Sequence, residues 1–97
     1  MEIEILRTIF LQDIRESRIV SKKYSWEVIP RVGDNVWTTA FHRDEEVEVV
    51  GVYHDFDNKE IQVWLTPLHL ESKEISHLNS TVDMYITHEW ECSYYNL

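Results

Sequence analysis

Apolar and polar residues alternate with a period of two through most of this chain. YSWEV sends Tyr24, Trp26 and Val28 to one side and Ser25 and Glu27 to the other. EEVEVVGVY sets Val47, Val49, Gly51 and Tyr53 against Glu46, Glu48, Val50 and Val52, and EIQVWL puts Ile61, Val63 and Leu65 on one face. VDMYITHEWECSYY carries the alternation through Val82, Met84, Ile86, His88, Trp90, Cys92 and Tyr94. A repeat of two is the side-chain period of a strand with one buried face, and these runs are rich in the Val, Ile, Tyr and Trp that strands favour.

Two segments read differently. IEILRTIFLQDI fits a strand by its Ile and Thr content but also offers Ile3, Leu6, Phe10 and Ile14 at helical spacing; the strand reading is preferred. ESKEISHLN is the best short-helix candidate, about two turns near 70–79, with Leu70, Ile75 and Leu78 able to share a face. Breaks at QDIRES, IPRVGDN, HRDEE, HDFDNK and 67–80 leave strands at about ten-residue spacing. The expected fold is mainly β: five or six antiparallel strands as a small barrel or bent sheet, with one short helix, in a single domain over residues 1–97.

Composition narrows the function. Two Gly and two Pro leave short loops, and the single Cys92 excludes an intramolecular disulfide and a four-thiolate zinc site. The N-terminus lacks a cleavage-site pattern, and no run approaches the ~18 apolar residues of a membrane span, so a cytoplasmic location is expected. The net charge of −9 is uneven: residues 1–43 carry +1 and residues 44–97 carry −10. Such a field repels phosphate backbones and anionic membranes and favours a basic protein partner, with no direct nucleic-acid or membrane binding.

IPRVGDNVW, followed by VEVVGVYHDFDNKEIQVWL, resembles the entry of Src-homology-3-like small β-barrels, in which a Pro-x-x-Gly-Asp-x-Val turn opens a strand and a hairpin follows. The resemblance covers residues 29–66 and implies topology. The ALYDY-type stretch of the peptide-binding members is absent, so proline-rich peptide binding is not implied. Small acidic, aromatic-rich chains of this kind also resemble bacteriophage accessory proteins that bind host factors, which implies an inhibitor of a host or defence protein.

The one stretch with the look of chemistry is HDFDNKE. As a calcium loop starting at Asp55 it places Lys59 at the fifth position and Glu60 where the turn needs glycine, so it reads as a hairpin bent at Asp57 and Asn58. His42, His54, His69, His77 and His88 show no helical i, i+4 pair, and on a strand His88 and Cys92 stand ~13 Å apart, too far to share an ion. WECSYY lacks the glycine-flanked turn that would activate a thiol. No cofactor, metal or catalytic residue is called for, and a metal-dependent enzyme is the least favoured alternative.

The aromatics carry more. Trp64 and Tyr85 lie opposite the apolar set of their own runs, so either a second layer covers them or they form an exposed patch ringed by acids. The expected function is a non-catalytic acidic module that docks on a basic partner. Its candidate binding residues are Glu45, Glu46, Glu48, Asp55, Asp57, Glu60, Trp64, Tyr85, Glu89 and Glu91. The runner-up is a nucleic-acid mimic that competes for a basic DNA or RNA channel. Free strand edges and the WECSYYNL terminus also make a homodimer an open alternative.

Overall fold

The structure, a computed structural model, describes residues 2–13 and 15–92. Strand β1 (Glu2–Leu11) turns into β2 (Glu16–Ser25); an irregular stretch leads to β3 (Val49–Asp55) and β4 (Glu60–Leu65). Then come β5 (Leu68–Leu70), helix α1 (Ile75–Thr87) and the two-residue β6 (Glu91–Cys92). All six strands join one open sheet in the order β3-β4-β1-β2-β6, with β5 also paired to β1. Among the described residues no helix is long and apolar enough to cross a membrane.

The first segment is the strand its composition favours, and it occupies the middle of the sheet. On one side β1 pairs antiparallel with β2 from Glu2↔Ser25 to Leu11↔Glu16. On the other it pairs parallel with β4 over Ile3–Leu6 and with β5 over Ile9–Leu11. The described residues are mainly β with one short helix, as expected, and of the barrel and the sheet it is an open sheet that forms; only its all-antiparallel character is corrected, because β1 runs parallel to β4 and β5. Alternation reports which face is buried and not strand direction, so parallel and antiparallel partners look alike in it.

The helix is the second correction. It spans Ile75–Thr87 instead of ending near 79, and so takes the first half of the run read as a strand from Val82. Leu78, Val82 and Tyr85, spaced i, i+4 and i+7, are its buried residues, whereas Met84 and Ile86 of the alternating set are exposed. Leu70 and Ile75 do not share its buried face: Leu70 belongs to β5 and Ile75 is exposed. Glu89, at φ 70°, turns the chain out of the helix and lets Trp90 enter the core. The strand expected there reduces to Glu91–Cys92; its continuation through Tyr94, and the terminus considered for pairing, lie outside the described residues.

The core lies on one face of the sheet. Ile3, Ile5, Ile9 and Leu11 of β1, Val20 of β2, and Val63 and Leu65 of β4 pack with Leu78, Val82 and Tyr85 of α1 and with Phe41, Val47 and Trp90. Arg7 falls in the same register, 3% exposed. Its guanidinium is satisfied there: Nη1 donates to Glu45 Oε1 at 2.8 Å and Tyr85 Oη at 3.0 Å, Nε donates to Thr66 O at 2.9 Å, and Cζ stands 5.3 Å from the Phe41 ring centroid.

A β-bulge between Val49 and Gly51 changes which residues of β3 face inward. Val47 and Val49 are buried in the core, but Gly51 aligns with Trp64 and Tyr53 with Gln62, on the opposite face. The single apolar face expected from Val47 to Tyr53 is thus split at Val50, the extra residue, which is half exposed.

Candidate functional site: the helix-free face of the sheet

The face turned away from α1 is assembled from the even-numbered residues of β1 and their neighbours in register. One row across the strands reads Glu91, Ser21, Leu6, Trp64, Gly51, and the next reads Lys23, Glu4, Gln62, Tyr53. Leu6 is buried yet lies outside the main core cluster, which places it beneath this second surface. Neighbouring strands stand ~4.8 Å apart, so each row is a short, fixed ladder of side chains.

Its apolar part is built around a missing side chain. A Cβ placed on Gly51 would sit 3.0 Å from Tyr53 Cε2, so the Tyr53 ring lies along bare backbone next to Trp64. Tyr53, Gln62 and Trp64 line a shallow recess of about 340 Å³. Tyr53 is 61% exposed and Trp64 half-buried, which leaves two amphipathic rings available side by side.

Its charged part lies beside them. Glu2, Glu60, Glu91 and Lys23 stand around Glu4, and Lys23 Nζ is 3.6 Å from Glu60 Oε1 and 3.9 Å from Glu2 Oε1. Partial burial, with Glu60, Glu91 and Glu2 nearby, pushes the Glu4 carboxyl above the ordinary range, and Lys23 only partly opposes this. A recess of about 320 Å³ lined by Glu4, Ser21, Lys22, Lys23, Glu89 and Glu91 opens at this point.

The ten residues expected to bind a partner do not form one surface. Glu60, Trp64 and Glu91 meet on the helix-free face, with Glu89 at its margin. Glu45 is spent on Arg7. Asp55 caps the hairpin turn: Oδ1 accepts from the Asp57 and Asn58 amides, each at 3.1 Å, and Oδ2 accepts from Asn58 Nδ2 at 2.9 Å. These bonds, those of Asn58 foremost, hold the Asp55 carboxyl below its usual range. The bend is the hairpin expected, but its left-handed residue is Lys59 (φ 56°) and not Asp57 or Asn58. Asp57 is exposed at this tip, and Glu46 and Glu48 are exposed on the connection into β3, where the Glu48 backbone is bonded to Thr66.

Tyr85 is corrected outright. It is 1% exposed, packed edge-on against Trp90 with centroids 5.2 Å apart, and burial pushes its phenol up, so it stays protonated and accepts from Arg7. Helical spacing gives the reason: as a strand residue Tyr85 falls opposite Met84 and Ile86, but on α1 it joins Leu78 and Val82.

Sequence reasoning missed Glu2, Glu4, Leu6 and Tyr53. Glu2 and Glu4 alternate with Ile3 and Ile5, which was the available signal; dividing the charge between the two halves of the chain concealed that they stand beside Glu60 and Glu91. Phe56, 87% exposed at the hairpin tip with its ring stacked on His54, was also missed. On the core side, beyond the helix, Ile3, Ile5, Tyr24, Trp26 and Trp37 line a groove of about 490 Å³, so Tyr24 and Trp26 do share a side as alternation indicated.

Among the described residues no three His, Cys, Asp or Glu side chains are placed to hold a metal ion, and Cys92 is buried in the core. No family model, curated protein or solved structure matches the chain.

Proposed function

We propose that this protein is a non-catalytic binding module that docks on a basic protein partner through the helix-free face of its sheet. The observation that carries the reading is the side-by-side placement of Tyr53 and Trp64 beside Glu2, Glu4, Glu60 and Glu91, of which Lys23 pairs with Glu2 and Glu60. Carboxylates at the edge of such a face raise the rate of encounter with a cationic surface, and the aromatic rings supply the desolvated contact that holds it. A cationic side chain of the partner entering near Glu4 also relieves the mutual repulsion of Glu2, Glu4, Glu60 and Glu91.

Affinity capture with the wild-type chain, with Trp64→Ala and with Glu4→Gln/Glu91→Gln tests this. One stoichiometric partner with a basic surface is retained by the wild type, lost with Trp64→Ala and weakened by added salt. Equal retention by all three proteins, or binding indifferent to salt, overturns the reading.

A further inference from the structure

The groove on the core side, beyond the helix, has no part in docking at the helix-free face. Ile3 and Ile5 of β1, Tyr24 of β2 with Trp26 just past its end, and Trp37 of the connection to β3 line it. Its volume of about 490 Å³ lies within the ~300–1,000 Å³ of small-molecule sites. Trp26 is 61% exposed and Trp37 55%, and among the described residues no ring contact joins Tyr24, Trp26 and Trp37 to one another. Exposed aromatic surface gathered in one concavity is the mark of a ligand site.

The backbone holds this groove open. Val36 N donates to Val47 O at 2.8 Å, Gly33 N to Val49 O at 2.9 Å and Val49 N to Asp34 O at 2.8 Å, so the segment that leads into Trp37 is laced to the approach and start of β3. Trp26 follows directly on β2, whose register with β1 reaches Glu2↔Ser25. The two indoles therefore stand on separately anchored segments, and a ligand entering between them meets a preformed site.

Charge selects the ligand. Among the described residues that line the groove, Asp34 is the only charged one, and no Lys, Arg or His joins it. Asp34 Oδ2 accepts from the Arg31 amide at 2.8 Å, a neutral donor that fixes the carboxylate in place without cancelling its charge. Aromatic faces carry negative potential and attract cations, those of Trp most strongly. One carboxylate is too few for a metal ion, and a primary ammonium has three N–H donors that ring faces satisfy poorly. A quaternary ammonium has no N–H and presents its charge through methyl groups, which suits an apolar, aromatic lining.

We infer that this groove binds a small organic cation carrying a quaternary ammonium group, with Trp26 and Trp37 against its methyl groups and Asp34 as the counter-charge. Tyr24 contributes less, because Lys22 Nζ already stands 5.3 Å from its ring centroid while donating to His88 O. The site shares no residue with the surface proposed for the basic partner, so each stands or falls alone.

Proton NMR titration of the full chain with choline chloride, against sodium chloride at equal concentration, is the test. Choline is expected to shift the Trp26 and Trp37 indole signals to saturation and to have its own methyl signal moved upfield by the rings. Its uncharged isostere, with a tert-butyl group in place of trimethylammonium, should bind about three- to thirtyfold more weakly. Trp26→Ala and Trp37→Ala, both at exposed side chains, should weaken choline binding by a similar factor. Asp34→Asn, which keeps an acceptor for the Arg31 amide, should weaken it about two- to fivefold. Dispersed methyl signals confirm that each variant is folded. Choline shifts no larger than those of sodium chloride, an isostere bound as well as choline, or undiminished choline binding by the folded Trp26→Ala and Trp37→Ala variants overturns the proposal. A trimethyllysine peptide bound more than about tenfold tighter than choline overturns the assignment to a small molecule.

Discussion

Arg7 Nη1 donates to Tyr85 Oη at 3.0 Å, so a cation in the middle of the central strand is held by a residue of the only helix among the described residues. Glu45 completes the arrangement from the connection before β3. Removing one partner leaves a buried guanidinium short of an acceptor. Tyr85→Phe, which keeps the ring, is expected to cost about 1–2 kcal/mol, and a thermal melt should fall by about 5–10 °C. Glu45→Gln removes the counter-charge and should cost more, about 2–3 kcal/mol, the partial exposure of Glu45 softening the penalty of a broken buried pair. A Tyr85→Phe melt equal to wild type would contradict the place given to this bond.

Glu4 gives the clearest pH dependence. Its carboxyl is pushed above the ordinary range by partial burial first and by Glu60 next, so the folded state favours its protonated form. Its contribution is fully present below the unfolded pKa of about 4.3 and is lost as pH rises through the folded value. Glu4→Gln should therefore raise the melting temperature at pH 7, with the advantage disappearing when both proteins are melted well below that pKa. An advantage equally large at low pH would mean that the gain is not electrostatic.

Asp55 has the opposite sign. The Asn58 side chain and the Asn58 and Asp57 amides hold its carboxyl low, so its contribution to the turn is present at neutral pH and lost as pH falls through the folded value. Asp55→Ala should speed hydrogen exchange at the Asp57 and Asn58 amides while leaving core amides of β1 unchanged. Acidifying the wild type should reproduce the effect at the same two amides.

Gly51→Ala tests the aromatic pair. Only the Tyr53 ring obstructs a methyl group at this position, so the strand survives and the ring must move. Proton NMR should show the Tyr53 ring losing its proximity to residue 51 with little change in thermal stability. Capture of the proposed basic partner should weaken in parallel with Trp64→Ala.

Much of the architecture was legible where one periodicity ruled. EIQVWL is β4 with its apolar face as read, and the N-terminal run is a strand because Ile3, Ile5, Ile9 and Leu11 alternate over the core. The reading failed where two periodicities coexist. Val82, Met84 and Ile86 alternate, while Leu78, Val82 and Tyr85 follow a helical spacing, and packing against the sheet decides for the helix. It also failed where one extra residue, Val50, reversed the faces of β3. The site was legible only in part, because Glu4 and Glu91 become neighbours through β2, which intervenes between their strands, and no local pattern records that pairing.

The central position of β1 has a consequence for how the chain acquires its structure. Ile3 can pair early with Tyr24 in a local hairpin, but its other neighbour is Ile61, and Ile9 waits for Leu68. During synthesis the strand that places Ile3, Ile5, Ile9 and Leu11 in the core therefore stays half-paired until β4 and β5 have been made. Closing that long parallel connection is the step expected to set the folding rate, and the interval before it is when a nascent chain most needs shielding from aggregation.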